Sequence, residues 1–156
     1  MRPTEEDPDL WSFFLDEVEA LGQEMLAAVK ALAAGSLAET AYEDLRRGFH
    51  TLKGGAAQMS GCDSLYCCSM KAERIVQGVT REVVFPSPAL LGLLGDAVGA
   101  SIDLIQQARL SGVMPAYSLT LSERLERADQ YLVDAERAQM CGEGRAPFPG
   151  LAVDGT

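Results

Sequence analysis

The stretch from Leu37 to Met59, LAETAYEDLRRGFHTLKGGAAQM, decides the reading of this chain. Ala38, Tyr42, Leu45, Phe49, Leu52, Ala56 and Met59 recur at alternating spacings of four and three. That period predicts one amphipathic helix over about 37–59, with a single apolar face. Ser60-Gly61 stops it. The same stretch holds His50, the only histidine of the chain. One imidazole can accept a group by itself, but it cannot build a catalytic triad or a histidine-rich metal site.

The flanking sequence has the same texture. Trp11, Phe14, Val18, Leu21, Met25, Ala28 and Leu32 predict a helix over 9–34, with Asp7 or Asp9 as cap, Pro8 in its first turn and Gly35 at its end. Leu65, Cys68, Ala72, Ile75 and Val79 predict a third helix over 63–79. A second stripe, Tyr66, Met70, Glu73 and Gln77, marks another of its faces. Ser87-Pro88 is a cap followed by a first-turn proline, and opens a fourth helix reaching about Leu110. This helix is apolar on more than one side, as a central element is. Thr120-Leu121-Ser122-Glu123 has capping-box spacing and predicts a fifth helix to about Gln139.

Glu82-Val83-Val84-Phe85 is the only β-prone run, too short and isolated to promise a sheet. The expected fold is all-α, an antiparallel four-helix bundle with an additional fifth C-terminal helix. Residues 1–8 would be an N-terminal extension, 9–139 the bundle, and 140–156, rich in Gly and Pro, a flexible tail or linker.

Composition narrows the function. The 156 residues are 47% hydrophobic, enough for one domain with a real core. The net charge of −10 argues against nucleic acid and against docking on anionic membranes. No apolar run is expected to span a bilayer, and the acidic start, Met1 to Asp7, lacks the apolar region of a secretory signal. The expected location is the cytoplasm. Cys62, Cys67, Cys68 and Cys141 do not match zinc-pair spacing, so reduced thiols, some of them packed in a core, are expected and no metal site.

A helix advances about 100° per residue, which puts His50 roughly 130° from the centre of the face formed by Leu45, Phe49, Leu52 and Ala56. It should face solvent. On the same side lie Arg46, Arg47, Lys53, Gly54 and Ala57. Gly54 and Gly55 in mid-helix each cost about 1 kcal/mol relative to alanine, and Gly48 adds a third such cost. Either the helix merely tolerates glycine, or Gly54 and Ala57 leave clearance for a partner to approach the imidazole. The arginines read most simply as a solvated face, with partner docking second. Glu73 by residue type alone is a surface carboxylate.

The run Phe49-His50-Thr51-Leu52-Lys53-Gly54-Gly55-Ala56 resembles the phosphoacceptor motif of the histidine phosphotransfer family, and most of all that of the first domain of CheA-type chemotaxis kinases. The likeness extends from about Trp11 to Leu132. It implies that His50 is the phosphoacceptor, that Lys53 supports the phosphoryl group, and that Glu73 hydrogen-bonds the imidazole. The last match needs one inserted residue around Ser60 to Asp63. Met70 stands where the CheA pattern often has a second histidine, and Gly48 where alanine is usual. The implied partners are a histidine kinase catalytic domain and a response-regulator receiver domain. ATP and Mg²⁺ would come with those partners, since this chain shows no nucleotide loop or acidic metal cluster and no cofactor is expected on it. The isolated domain is expected to be monomeric. The rival reading is a non-catalytic helical adaptor that docks on kinase or receiver domains without carrying phosphate.

Overall fold

The computed structural model describes residues 8–35 and 38–148. It is all-α, with five helices: α1 (Pro8–Ala33), α2 (Ala38–Ala57), α3 (Asp63–Thr80), α4 (Pro88–Ser111) and α5 (Leu119–Met140). The first four run up and down. Phe14 meets Gly55 and Met25 meets Gly48, so α1 and α2 are antiparallel. Arg109 on α4 reaches Asp16 and Glu19 on α1, while Ile102 packs on Gly22, which makes that pair antiparallel too. The fifth helix lies along α3 and runs parallel to it, through the ion pairs Lys71–Glu126 and Arg74–Asp129 and the packing of Leu132 on Gly78.

The anticipated stripes form the core. Leu45, Phe49, Leu52, Leu65, Ile75, Leu94, Ile105 and Leu125 are almost wholly buried. Gly61, at φ 78°, closes the connection after α2 in the left-handed region that glycine occupies without penalty. Ser87 caps α4 by accepting a hydrogen bond from the Leu90 N–H at 3.2 Å, with Pro88 in the first turn.

Gly48 and Gly55 proved to be packing residues. A Cβ on Gly55 would stand 2.8 Å from Cε1 of the Phe14 ring, and one on Gly48 would run into the Met25 side chain. Both let α1 approach closely. Only Gly54 of the three opens onto free space.

Four expectations change. The fifth helix begins earlier than the Thr120 box, because Ser118 is its cap and accepts from the Leu121 N–H at 3.2 Å. The β-prone run does find a partner. Val84–Phe85 (β1) pairs in parallel with Ala146–Pro147 (β2). For that reason residues 141–148 are not a free tail. Arg145 donates to the Val84 and Val79 carbonyls at 2.7 and 3.1 Å and lies over the Phe85 ring, while Phe148 is buried edge-on against Tyr131. The Tyr131 hydroxyl donates to the Pro147 carbonyl. Residues 1–7 and 149–156, the rest of the two expected extensions, lie outside the described residues, as do Ser36 and Leu37. Finally, α4 has the length and mean hydropathy, 1.5, of a membrane span. Leu90, Leu93, Leu94, Ala97, Val98, Leu104 and Ile105 spend that apolarity inside the bundle, as a central helix does.

Cys62 and Cys68 are buried free thiols, and Cys67 and Cys141 are exposed ones. Burial pushes the Cys62 thiol up to about 11, helped by the neighbouring Asp63 carboxylate.

Candidate functional site

Arg46, His50 and Lys53 are spaced by four and three, so α2 aligns them in one row on its outer side. The His50 side chain is 61% exposed. Across the α2–α3 seam, Glu73 is buried at 5%. It sits on the stripe of Tyr66, Met70 and Gln77, all half-buried against the seam. Each carboxylate oxygen has its own partner. Oε2 lies 2.8 Å from Nδ1 of His50, and Oε1 accepts from Nζ of Lys53 at 2.6 Å. A buried carboxylate needs such compensation, and the half-buried Lys53 ammonium supplies the opposite charge.

This contact sets the imidazole's chemistry. A carboxylate is acceptor-only, so the nitrogen facing it is the one that carries the proton. Nδ1–H donates to Glu73, and in the neutral ring that tautomer leaves the lone pair on Nε2. The result is an oriented, outward-facing imidazole.

Gly54 and Ala57 are exposed, and nothing lies within 4 Å of where a Gly54 side chain would begin. The strip next to His50 is bare, as the clearance reading requires. The two arginines are not simply solvated. Arg46 donates from Nε and from one terminal nitrogen to the two Glu43 oxygens at 2.9 and 2.6 Å, and Arg47 pairs with Asp44. The Glu43 bond lifts the Arg46 pKa above its ordinary value, and Glu73 adds to that shift through space. Glu43 itself is held below the usual carboxylate range by the same bond.

The structure thus gathers His50, Lys53 and Glu73 into one hydrogen-bonded unit and leaves Gly54 and Ala57 open beside it. Glu43 and Asp44 were not anticipated as holders of the arginines. Their signal was visible, an acid three residues before each cation on one helix. Met70 lies half-buried on the Glu73 stripe, so the seam carries a thioether where the CheA pattern often has imidazole.

No protein-family model matches the chain. No curated protein matches it either. Among solved structures, the chain is similar to the phosphorylated P1 domain of CheA3 from R. sphaeroides, crystallised in complex with CheY6. The superposition has a TM-score of 0.67 at 21% identity and covers 83% of this chain and 97% of that one. At that identity the likeness establishes a shared all-helical fold.

Proposed function

We propose that this chain is a histidine phosphotransfer domain of a two-component phosphorelay of the chemotaxis type. His50 takes a phosphoryl group from a histidine kinase catalytic domain and passes it to a receiver-domain aspartate. The observation that carries this reading is an exposed imidazole whose Nδ1 is bonded to a buried carboxylate at 2.8 Å. The shared fold with a P1 domain that was crystallised phosphorylated and bound to CheY6 supports it.

The chemistry follows from the tautomer. The Nε2 lone pair attacks the γ-phosphorus of ATP, the bond to the bridging oxygen breaks, and ADP leaves. No proton has to leave Nε2, because the ring proton already sits on Nδ1. The phosphorylated ring is cationic, and its Nδ1–H remains on Glu73, which stabilises it. In the return step an aspartate oxygen of the receiver attacks phosphorus, the P–Nε2 bond breaks, and the nitrogen recovers its electron pair. Such transfers run through loose transition states that depend on positioning and charge more than on acid–base work. A carrier that offers only an aimed nucleophile suffices, with ATP, Mg²⁺ and the remaining charge stabilisation coming from the partners. A cytoplasmic location accompanies this proposal.

The test is a two-stage transfer. The domain is incubated with a CheA-type kinase catalytic domain and γ-labelled ATP with Mg²⁺, then chased with a receiver domain. Label should enter the domain as an acid-labile, alkali-stable adduct and leave on the chase. His50→Gln should take up none. Label that persists in His50→Gln would overturn the assignment, and binding of kinase or receiver without any label would favour the adaptor reading.

A further inference from the structure

Resting on the phosphotransfer reading, we propose that Arg46 is a cation held in reserve for the phosphoryl group, kept off His50 by Glu43 until the imidazole is loaded. The structure offers two cations in the row of His50, and they are held differently. Lys53 is bonded to Glu73, a carboxylate that is almost wholly buried and whose two oxygens are bonded to Lys53 and His50. Pulling Lys53 away would leave that charge stranded. Arg46 is held by Glu43, whose side chain is half exposed. An ion pair in that setting is weak, because water takes over either partner at little cost.

Arg46 is four residues before His50, close enough for its side chain to lie beside the ring on the helix surface. It lies in one row with His50 and Lys53, the two side chains that reach Glu73 on α3. A phosphoryl group on Nε2 brings a charge of about −1.5 to −2 and three acceptor oxygens to this spot. It competes with Glu43 for the same two N–H groups, and the planar guanidinium fits phosphate oxygens in the same bidentate way that it fits the carboxylate. Loading therefore moves Arg46 from Glu43 to the phosphoryl group.

The consequence is a longer-lived adduct. In hydrolysis a water oxygen bonds to phosphorus, the P–Nε2 bond breaks, the ring nitrogen keeps the electron pair, and inorganic phosphate leaves. The transition state is loose and metaphosphate-like, with less negative charge on the phosphoryl oxygens than the loaded state has. A cation on those oxygens favours the loaded state. Arg46 is thus a stabilising contact of the adduct, and Glu43 a positioning residue acting through it.

The test uses small-molecule phosphoramidate, so that no kinase or receiver contact enters. Nε2 displaces the amino group, which leaves as ammonia after taking up a proton from solvent. The decay of the adduct is followed by ³¹P NMR. Arg46→Gln should shorten its lifetime roughly two- to fivefold, the range of an exposed charge pair. Arg46→Lys should restore most of the loss. Glu43→Gln should keep the lifetime at or above wild type, and in the unloaded protein it should shift the Arg46 Nε–H resonance toward its position in the loaded wild type. Arg109→Gln, which removes a distant cation on α4, serves as the charge control. Equal lifetimes for Arg46→Gln and wild type, or equal losses in Arg46→Gln and Arg109→Gln, would overturn the proposal while leaving the phosphotransfer reading intact. No adduct on His50 in the wild-type protein would instead overturn the phosphotransfer reading itself, and this inference with it.

Discussion

Two adjacent glycines on α2 should respond to alanine in opposite directions. Gly54→Ala replaces a poor helix former by the best one, at an exposed site where the new methyl meets nothing within 4 Å. It should stabilise the fold by about 0.5–1 kcal/mol. Gly55→Ala gains the same propensity term. Its methyl, however, would sit 2.8 Å from Cε1 and 3.1 Å from Cδ1 of Phe14. That ring is buried and rigid, so it cannot fold away as the end of a methionine could. Overpacking of this kind costs about 1–3 kcal/mol, which offsets or exceeds the gain. The net for Gly55→Ala is a loss of up to about 2 kcal/mol, and the two variants should differ by about 1–3 kcal/mol. Urea unfolding followed by far-UV circular dichroism measures both. With a slope of about 2 kcal/mol/M, the midpoints should separate by about 0.5–1.5 M, with Gly54→Ala the more stable. Equal midpoints, or Gly55→Ala the higher, would refute the placement of α1 against Gly55 and with it the rotation of α2 that sets His50 outward.

Gly54→Leu should fold with a near-wild-type midpoint yet block phosphoryl exchange between His50 and a receiver domain, and transfer at the wild-type rate would end the clearance argument. Phe148→Ala should release residues 141–148, seen as lost amide-exchange protection at Ala146, and cost up to about 3 kcal/mol, the lower end for a buried phenylalanine because a terminal segment can detach. Alkaline stability should reflect Cys62. Its native thiol ionises at about 11 against an ordinary 9.0, so the native state holds the proton in a window where the unfolded chain has lost it. Stability should therefore fall as pH rises from about 9 to about 11, and Cys62→Ser should flatten that decline in urea midpoints taken across the window.

The helices and their buried faces were legible because each face repeats at three and four over several turns, and Ser87-Pro88 and Gly61 mark boundaries by local chemistry alone. The pairing of β1 with β2 was not legible. Ala146-Pro147 carries no strand signal, and the segment is held by Arg145 and Phe148 contacts made far along the chain. The start of α5 was displaced because Ser118 lacks a glutamate three residues on, whereas Thr120 has one without acting as the cap. At the site, the outward direction of His50 followed from helix geometry. The burial of Glu73 did not, since a glutamate by type belongs on the surface and only the closure of Lys53 and His50 over it makes burial tolerable. The separate duties of Gly48, Gly54 and Gly55 depend on where α1 lies, and no pattern within α2 contains that information.

The central claim is that Nε2 of His50 is the atom that accepts phosphate. It is tested most directly by loading the ¹⁵N-histidine-labelled protein with phosphoramidate and reading the single imidazole by ¹⁵N and ³¹P NMR. With one histidine in the chain, assignment is unambiguous. The account predicts one phosphorylated species, coupled through Nε2, with Nδ1 still protonated and bonded to Glu73. An adduct at Nδ1, or an imidazole that remains unmodified while the protein stays folded, would contradict it.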